Sequence, residues 1–164
     1  MAENKDTDKE RGKGRDKRDD RGRDKRDDRG RRKSRQEFWE EELKRITSKE
    51  TVQKLIREGG RLLVGQAEKL GENFRRGDLT TSQIRNIYGM VKKMEMDGFN
   101  ANKFVLFKPK LAYAAARADR KGAYQFKEVM TWAIDEVDRD DRKFVNFVDF
   151  FEAILAYHKA AGGK

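Results

Sequence analysis

The sequence contains no cysteine, one proline and one histidine in 164 residues. The lack of cysteine excludes disulfides and thiolate metal sites, and it fits the reducing cytoplasm, where we expect the protein to reside. No apolar run reaches about 18 residues, so we expect no transmembrane helix. The charged N-terminus also lacks the apolar centre of a signal peptide. Because 43% of the residues are charged, part of the chain has too few apolar side chains to fold.

The net charge of +10 favours polyanionic partners, either nucleic acid or an anionic membrane surface. A membrane-surface helix needs a bulky apolar face opposite its basic one. Several segments have apolar faces, but the core of a helical bundle explains them better. We therefore expect no membrane partner.

Residues 1–36 form a highly charged segment, with 16 lysines and arginines against 10 aspartates and glutamates. The octapeptide RDKRDDRG occurs twice in succession, at 15–22 and 23–30. It contains no apolar residue, so no burial offsets the cost of about 1–2 kcal/mol for ordering each residue. We expect a disordered polyampholytic tail, followed by a folded domain at 37–164. The tail is either a solvated spacer or a weak, nonspecific RNA tether whose aspartates compete with phosphate for its arginines.

Apolar residues at helical spacing predict an all-α fold for residues 37–164, a compact bundle of about five to six helices. In chain order, the predicted helices span 36–46, 47–74 with a kink or break at Gly59-Gly60, 80–96, 109–121, 124–137 and 142–161. Thr47–Glu50 and Thr80–Gln83 have the spacing of capping boxes. We expect a basic loop at 73–78, a possible extended segment at 104–107, and a helix end at Gly122.

The last predicted helix has an apolar arc broader than a surface helix needs. Either this helix is central to the bundle, or its extra flank contacts another protein. The only histidine, His158, lies on this arc near the end of the helix. We expect it to be a hydrogen-bonded structural residue rather than a ligand or a base.

Two predicted helices each carry a stripe in which a small residue separates two cations. The first stripe, in FKPKLAYAAAR at 107–117, contains Lys110, Ala114 and Arg117, with Lys121 beyond them and Tyr113 and Arg120 beside them. The second contains Arg85, Gly89 and Lys92. A basic stripe with a small residue at its middle allows close approach of a phosphate backbone. We predict that the two stripes converge in one groove; the alternative is a set of solvated surface cations.

The residues offer little for catalysis. The single histidine has no second histidine or cysteine with which to form a metal site or a nucleophile pair, and no GxxxxGK phosphate loop occurs. Residues 138–150 resemble a calcium loop, but Arg142 stands where an oxygen ligand belongs and Lys143 replaces the turn glycine. Carboxylates for metal-assisted RNA cleavage would have to converge in a cleft, which one loop does not supply. We expect no enzyme activity, no metal and no cofactor.

Three segments together resemble a known family: LTTSQIRNIYGMV at 79–91, LFKPKLAYAAAR at 106–117 and FVDFFEAILAYHKAAGG at 147–163. The family is the Csm small subunit of type III-A CRISPR effector complexes, and the resemblance covers most of residues 75–163. It implies an all-helical, non-catalytic subunit, present in several copies that stack in a filament beside the subunits carrying the guide RNA. The implied partners are guide RNA, target RNA and other Csm subunits, including further copies of this chain.

The predicted RNA-binding residues have two origins. At positions matching the family motifs, the resemblance implies contacts from Arg85, Lys108, Lys110 and Arg117. Helical geometry alone adds Lys92, Arg120 and Lys121. The leading hypothesis is sequence-independent binding of the RNA backbone within a multisubunit complex. The alternative is a helical protein–protein interaction module without direct RNA contact, whose cations serve acidic partners or solubility.

Overall fold

The computed structural model describes residues 35–164, which fold into helices joined by short connections. A first helix, α1, spans 35–44. Seven more follow it: α2 (Lys49–Glu58), α3 (Gly60–Arg76), α4 (Thr81–Asp97), α5 (Ala101–Phe104), α6 (Phe107–Ala118), α7 (Lys121–Val137) and α8 (Asp141–Ala160). This part of the chain contains no strand, so the all-α prediction is confirmed, with more helices than the five to six expected.

The predicted tail lies outside the described residues except for its last two positions, 35 and 36, which are helical. The division of the chain at residue 36 and the two roles considered for the tail stay predictions. None of the helices within residues 35–164 combines the length and the apolar composition needed to cross a lipid bilayer.

The long helix predicted from residue 47 to residue 74 is divided into α2 and α3, as the glycine pair indicated. Gly59 and Gly60 have φ angles of 65° and 63°, a region that glycine adopts readily and other residues rarely. The cap of α2 differs from the prediction by one residue. The Ser48 hydroxyl accepts a hydrogen bond from the Thr51 backbone N–H at 3.2 Å, whereas Thr47 is buried.

Three other boundaries correct the predictions. Residues 73–76, expected in a loop, form the last turn of α3, because Phe74 continues its buried face. The segment 104–107 is not extended; it contains the end of α5 and the start of α6. α6 ends at Ala118 rather than at Gly122, since Asp119 takes the left-handed conformation and its N–H bonds to the Ala115 carbonyl at 3.0 Å.

The core is built around α8, which packs against α2, α3, α4 and α7. Its wide apolar arc is used inside the molecule, which answers the question left open by the sequence. The fully buried α8 side chains include Phe147, Phe150, Phe151 and Ile154. The α7 residues expected to point inward are buried as well, namely Phe126, Val129, Met130, Ala133 and Val137.

Close backbone contacts bring several chain segments to one end of the bundle. The Gly122 N–H donates to the Gly77 carbonyl at 2.8 Å, which joins the start of α7 to the end of α3. A Cβ added at Gly122 would lie 2.4 Å from the Phe74 carbonyl oxygen. Gly163, after α8, packs so tightly that a Cβ there would lie 2.3 Å from the His158 ring. Glycine at these positions therefore allows the elements to meet.

Candidate nucleic-acid interface

A groove of about 760 Å³ runs between α4 and α6. We call it the α4–α6 groove. One wall is formed by the α4 residues Gln83, Asn86, Ile87 and Met90, and the other by the α6 residues Pro109, Lys110, Tyr113, Ala114, Arg117 and Ala118. Tyr113 lies at the edge of the groove and is 68% exposed. The groove therefore combines two cations, an exposed aromatic ring and side-chain amides.

The start of α4 is set by its cap, and the orientation of the helix about its own axis is set by its buried face. The Thr80 hydroxyl accepts from the Gln83 N–H at 3.2 Å, and the Gln83 side-chain oxygen accepts from the Thr80 N–H at 2.9 Å. This reciprocal pair confirms the predicted capping box. Because Ile84 and Val91 are buried, the flank with Gln83 and Met90 faces α6.

The orientation of α6 about its own axis places two of its cations at the groove. Leu111 and Ala115 are buried, and the half-buried Ala114 lies in the lining between Lys110 and Arg117. The Lys110 ammonium nitrogen lies 5.3 Å from the centre of the Phe107 ring and 3.7 Å from the Met90 sulfur. Within residues 35–164, no carboxylate forms an ion pair with Lys110 or Arg117. Their charges are therefore available to an anionic ligand.

The second predicted basic stripe does not join this groove. At about 100° per residue, Arg85 and Lys92 lie roughly 150° or more around α4 from its groove-facing flank. Lys92 instead pairs with Glu95. The hydrogen bond that the Lys92 ammonium donates to Glu95 raises the pKa of Lys92, and nearby acidic side chains of α8 add to that shift. The prediction that both stripes converge is therefore wrong for the α4 stripe, because a different flank of α4 lines the groove.

Two more predicted RNA-binding lysines are engaged within the protein. Lys108 pairs with Asp135 of α7. Lys121 was expected to extend the α6 stripe, but α6 ends before it and Lys121 begins α7. Its ammonium group pairs with Glu42 of α1 at 3.1 Å. These lysines join helices to one another and lie outside the groove lining.

Arg120 lines a different cavity, of about 630 Å³, which we call the basic cleft. Its cations are Arg75, Arg76, Arg120 and Lys164, and the rest of its lining is Asp78, Leu79, Thr80, Gly162 and Gly163. The basic character of residues 73–78 is visible in the sequence, but the predicted loop there is the end of α3. Nothing local in the sequence signals that these cations meet, because they come from separate segments of the chain.

His158 lies behind the cleft and is completely buried. Its Nε2 is 2.7 Å from the Leu79 carbonyl oxygen, and its Nδ1 is 3.4 Å from the Thr81 hydroxyl. Since a carbonyl only accepts, Nε2 carries the proton and donates it. Burial lowers the pKa of His158, and the charges of Arg75 and Lys159 act in the same direction. The prediction of a hydrogen-bonded structural histidine is confirmed.

We expect acid to destabilise the fold through His158. Unfolded histidine titrates near pH 6.5, and the folded pKa is lower, so the unfolded state binds more protons below about pH 6.5. The free energy of unfolding therefore carries no penalty from His158 above about pH 6.5. It decreases as the pH falls from there toward the folded pKa. The free energy of unfolding can be measured by urea denaturation at about pH 7.5 and about pH 5.5. It should fall more between these pH values for wild type than for His158→Gln, whose amide stays neutral. Equal losses would contradict this role.

A family model described as Csm2 Type III-A matches residues 57–164, which include α3 to α8, the α4–α6 groove and the basic cleft. The chain belongs to the Csm2 family. No curated protein matches the chain, and no solved structure does. The match confirms the resemblance to the small subunit of type III-A complexes.

Membership in the Csm2 family, a family of small structural subunits, makes the chain a subunit of a type III-A CRISPR (Csm) complex. It implies assembly with other Csm subunits. α1 and most of α2 precede the matched residues.

The acidic loop between α7 and α8 of this Csm2 chain caps a helix. An Asp140 carboxylate oxygen accepts from the N–H groups of Arg142 and Lys143 at 2.9 and 3.1 Å. The Glu136 carboxylate forms ion pairs with the Lys143 ammonium at 2.7 Å and with the Arg57 guanidinium at 2.9 Å. Burial alone would raise the pKa of Glu136, but these two cations hold it below its ordinary value. In the described part, no three acidic, histidine or cysteine side chains form a group suited to a metal ion.

Proposed function

We propose that this Csm2 subunit binds the sugar–phosphate backbone of guide and target RNA through the α4–α6 groove. The observation that carries the proposal is the pair Lys110 and Arg117, which line one wall of the groove without an ion pair in the described residues. They are seven residues apart on α6, or roughly 10 Å along the helix axis. Two unpaired cations on a rigid helix are suited to bind phosphates of one strand.

The chemistry of the groove favours binding that is independent of base sequence. Cations that neutralise phosphates release counterions, which drives association without reading the bases. The side-chain amide of Asn86 adds a neutral hydrogen-bond donor, and Tyr113 offers a ring on which any base can stack. The groove therefore aligns a strand, and chemical steps on it belong to other subunits.

Stacking of several copies is the second part of the proposal. Exposed apolar side chains occur near the end of α4 and the start of α6, where Met96 is 85% exposed and Leu106 is 55% exposed. Exposed apolar side chains favour contact with a neighbouring protein. Leu106 lines a cavity that shares Met90 and Lys110 with the α4–α6 groove, so a neighbouring subunit that contacts Leu106 extends the RNA-binding surface from copy to copy.

The double variant Lys110→Gln, Arg117→Gln tests the RNA contact. We expect its affinity for RNA to fall roughly tenfold, by a similar factor for unrelated sequences, because two phosphate contacts are lost. The slope of log affinity against log salt concentration should become less steep by about 1.4 for single-stranded RNA. Fluorescence anisotropy with the full-length chain at several salt concentrations measures both quantities.

The matched control is Lys54→Gln, Lys69→Gln, which removes the same charge from exposed positions of α2 and α3 away from the groove. Its affinity should stay within about twofold of wild type, whereas an equal loss would show a general charge effect. Wild-type affinity in the Lys110, Arg117 variant would contradict the proposal and favour a protein–protein module. The pair Arg85→Ala, Arg117→Ala should lose no more affinity than Arg117→Ala alone.

A further inference from the structure

The basic cleft lies next to the α4–α6 groove, at the start of α4 and the end of α6. Thr80 lines the cleft, Gln83 lines the groove, and the two residues are hydrogen-bonded to each other in the capping box of α4. On the other side, Arg117 belongs to the groove lining and Arg120, three residues later, belongs to the cleft. A ligand that leaves the groove past Arg117 therefore meets the cleft.

The side chains that line the cleft carry an excess of positive charge. Four of its lining residues are cations and only one, Asp78, is an acidic side chain. Arg76 pairs with Glu72 at 3.2 Å on the surface, an arrangement that contributes little stability and is easily exchanged for a ligand. Arg75 and Arg120 form no ion pair with a carboxylate of the described chain. These arginines are therefore available to bind an anion, and the guanidinium fork matches phosphate geometry.

The cleft is held in place by backbone contacts. The bond between the Gly122 N–H and the Gly77 carbonyl keeps Arg120 beside the end of α3. A main-chain oxygen of Lys164 accepts from the Thr81 N–H at 2.7 Å, which holds Lys164 at the start of α4. The hydrogen bond from His158 to the Leu79 carbonyl supports the connection between α3 and α4. Because the backbone is already positioned, binding an anion requires little ordering.

We propose that the basic cleft is a second phosphate-binding site, and that one RNA strand passes from the α4–α6 groove into it. This inference rests on the proposed function of the groove and extends its footprint. The cations along the path are Lys110 and Arg117 in the groove, then Arg120, then Arg75 and Arg76 in the cleft. A short RNA fills the groove alone, whereas a longer strand gains the additional contacts of the cleft.

The test uses the full-length chain and unstructured RNA of one base, in lengths from about 4 to about 16 nucleotides. The cleft variant is Arg75→Gln, Arg120→Gln, two exposed side chains whose removal breaks no hydrogen bond or ion pair of the described residues. It should bind the shortest RNAs as wild type does and lose roughly tenfold in affinity for the longest. Its salt slope for long RNA should become less steep by about 1.4.

The groove variant Lys110→Gln, Arg117→Gln separates this inference from the proposed function. It should weaken binding at every length, and wild-type affinity in it would contradict the function of the groove itself. A cleft variant that binds long RNA as tightly as wild type would overturn only the inference. If that variant also lost association with other Csm subunits, the cleft would be a protein contact. The Lys54→Gln, Lys69→Gln variant again controls for net charge at each length.

Discussion

Replacing Phe104 by alanine is expected to lower the free energy of unfolding by about 4 kcal/mol, the cost of removing a fully buried aromatic side chain. Phe104 is 1% exposed. Its ring centre lies within 5.9 Å of four other ring centres, those of Phe99, Phe107, Phe144 and Phe147. The change leaves a cavity and removes these ring contacts. Urea denaturation followed by circular dichroism measures the loss.

The neighbouring residues provide a control for this prediction. Val105 and Leu106 follow Phe104 directly and are 47% and 55% exposed. Alanine at either position should change the free energy of unfolding by no more than about 0.5 kcal/mol. A loss below about 1 kcal/mol for Phe104→Ala would mean that the ring is not part of a packed core. The four-residue α5 has little helical stability of its own, so Phe104 is what joins it to α8.

Replacing Gly122 by alanine is expected to destabilise the fold by about 3 kcal/mol, through overpacking and a strained hydrogen bond. The new Cβ would lie 2.4 Å from the Phe74 carbonyl oxygen and 2.9 Å from the Gly77 carbonyl oxygen. Both atoms belong to the backbone, so relief requires α3 and α7 to separate. That movement weakens the bond from the Gly122 N–H to the Gly77 carbonyl. Thermal and urea denaturation of the variant test the expectation.

Gly89→Ala is the matched control, because a Cβ there would have no atom within 4 Å beyond its chain neighbours and the backbone of its own helix. Gly89 lies inside α4 and is exposed, so alanine should stabilise the protein by about 0.5–1 kcal/mol. Unchanged stability of Gly122→Ala would show that the junction of α3 and α7 yields easily. In that case the basic cleft would lose its rigid support, since the same junction positions Arg120.

Much of the fold was accessible from local patterns. The capping box of Thr80 and Gln83, the break at Gly59-Gly60 and the inward faces of α7 and α8 all appear as expected. His158 also has the buried, hydrogen-bonded role that its position on an apolar stripe indicated. These features depend on residues a few positions apart, whose interactions are set within a single helix.

The boundary between α6 and α7 shows where local patterns fail. Glycine commonly ends a helix, so Gly122 was expected to end α6. Asp119 ends it instead, because aspartate tolerates the left-handed conformation. Gly122 is needed for a different reason, the close approach of Gly77, which is 45 residues away in the sequence. A requirement that arises from a distant contact leaves no periodic signal.

Part of the candidate site could also be predicted from one helix, and part depends on how the helices pack. The stripe of Lys110 and Arg117 could be read from α6 alone, because their spacing places them on one side of any helix. Which flank of α4 faces that stripe depends on how the two helices pack. The structure places Gln83, Asn86 and Met90 there, and directs Arg85 and Lys92 elsewhere. It also assigns Lys108 and Lys121 to contacts between helices.

By itself, the amino-acid sequence determined that residues 37–164 are helical, which side of most helices is buried, and that the chain resembles a Csm small subunit. Only the tertiary structure decided which polar flanks face each other, and it brought Arg75, Arg76, Arg120 and Lys164 together in one cleft. The physical reason is the distance along the sequence over which each feature is determined. Helical periodicity reports burial from neighbours within one or two turns, whereas the meeting of two surfaces depends on the packing of the whole core.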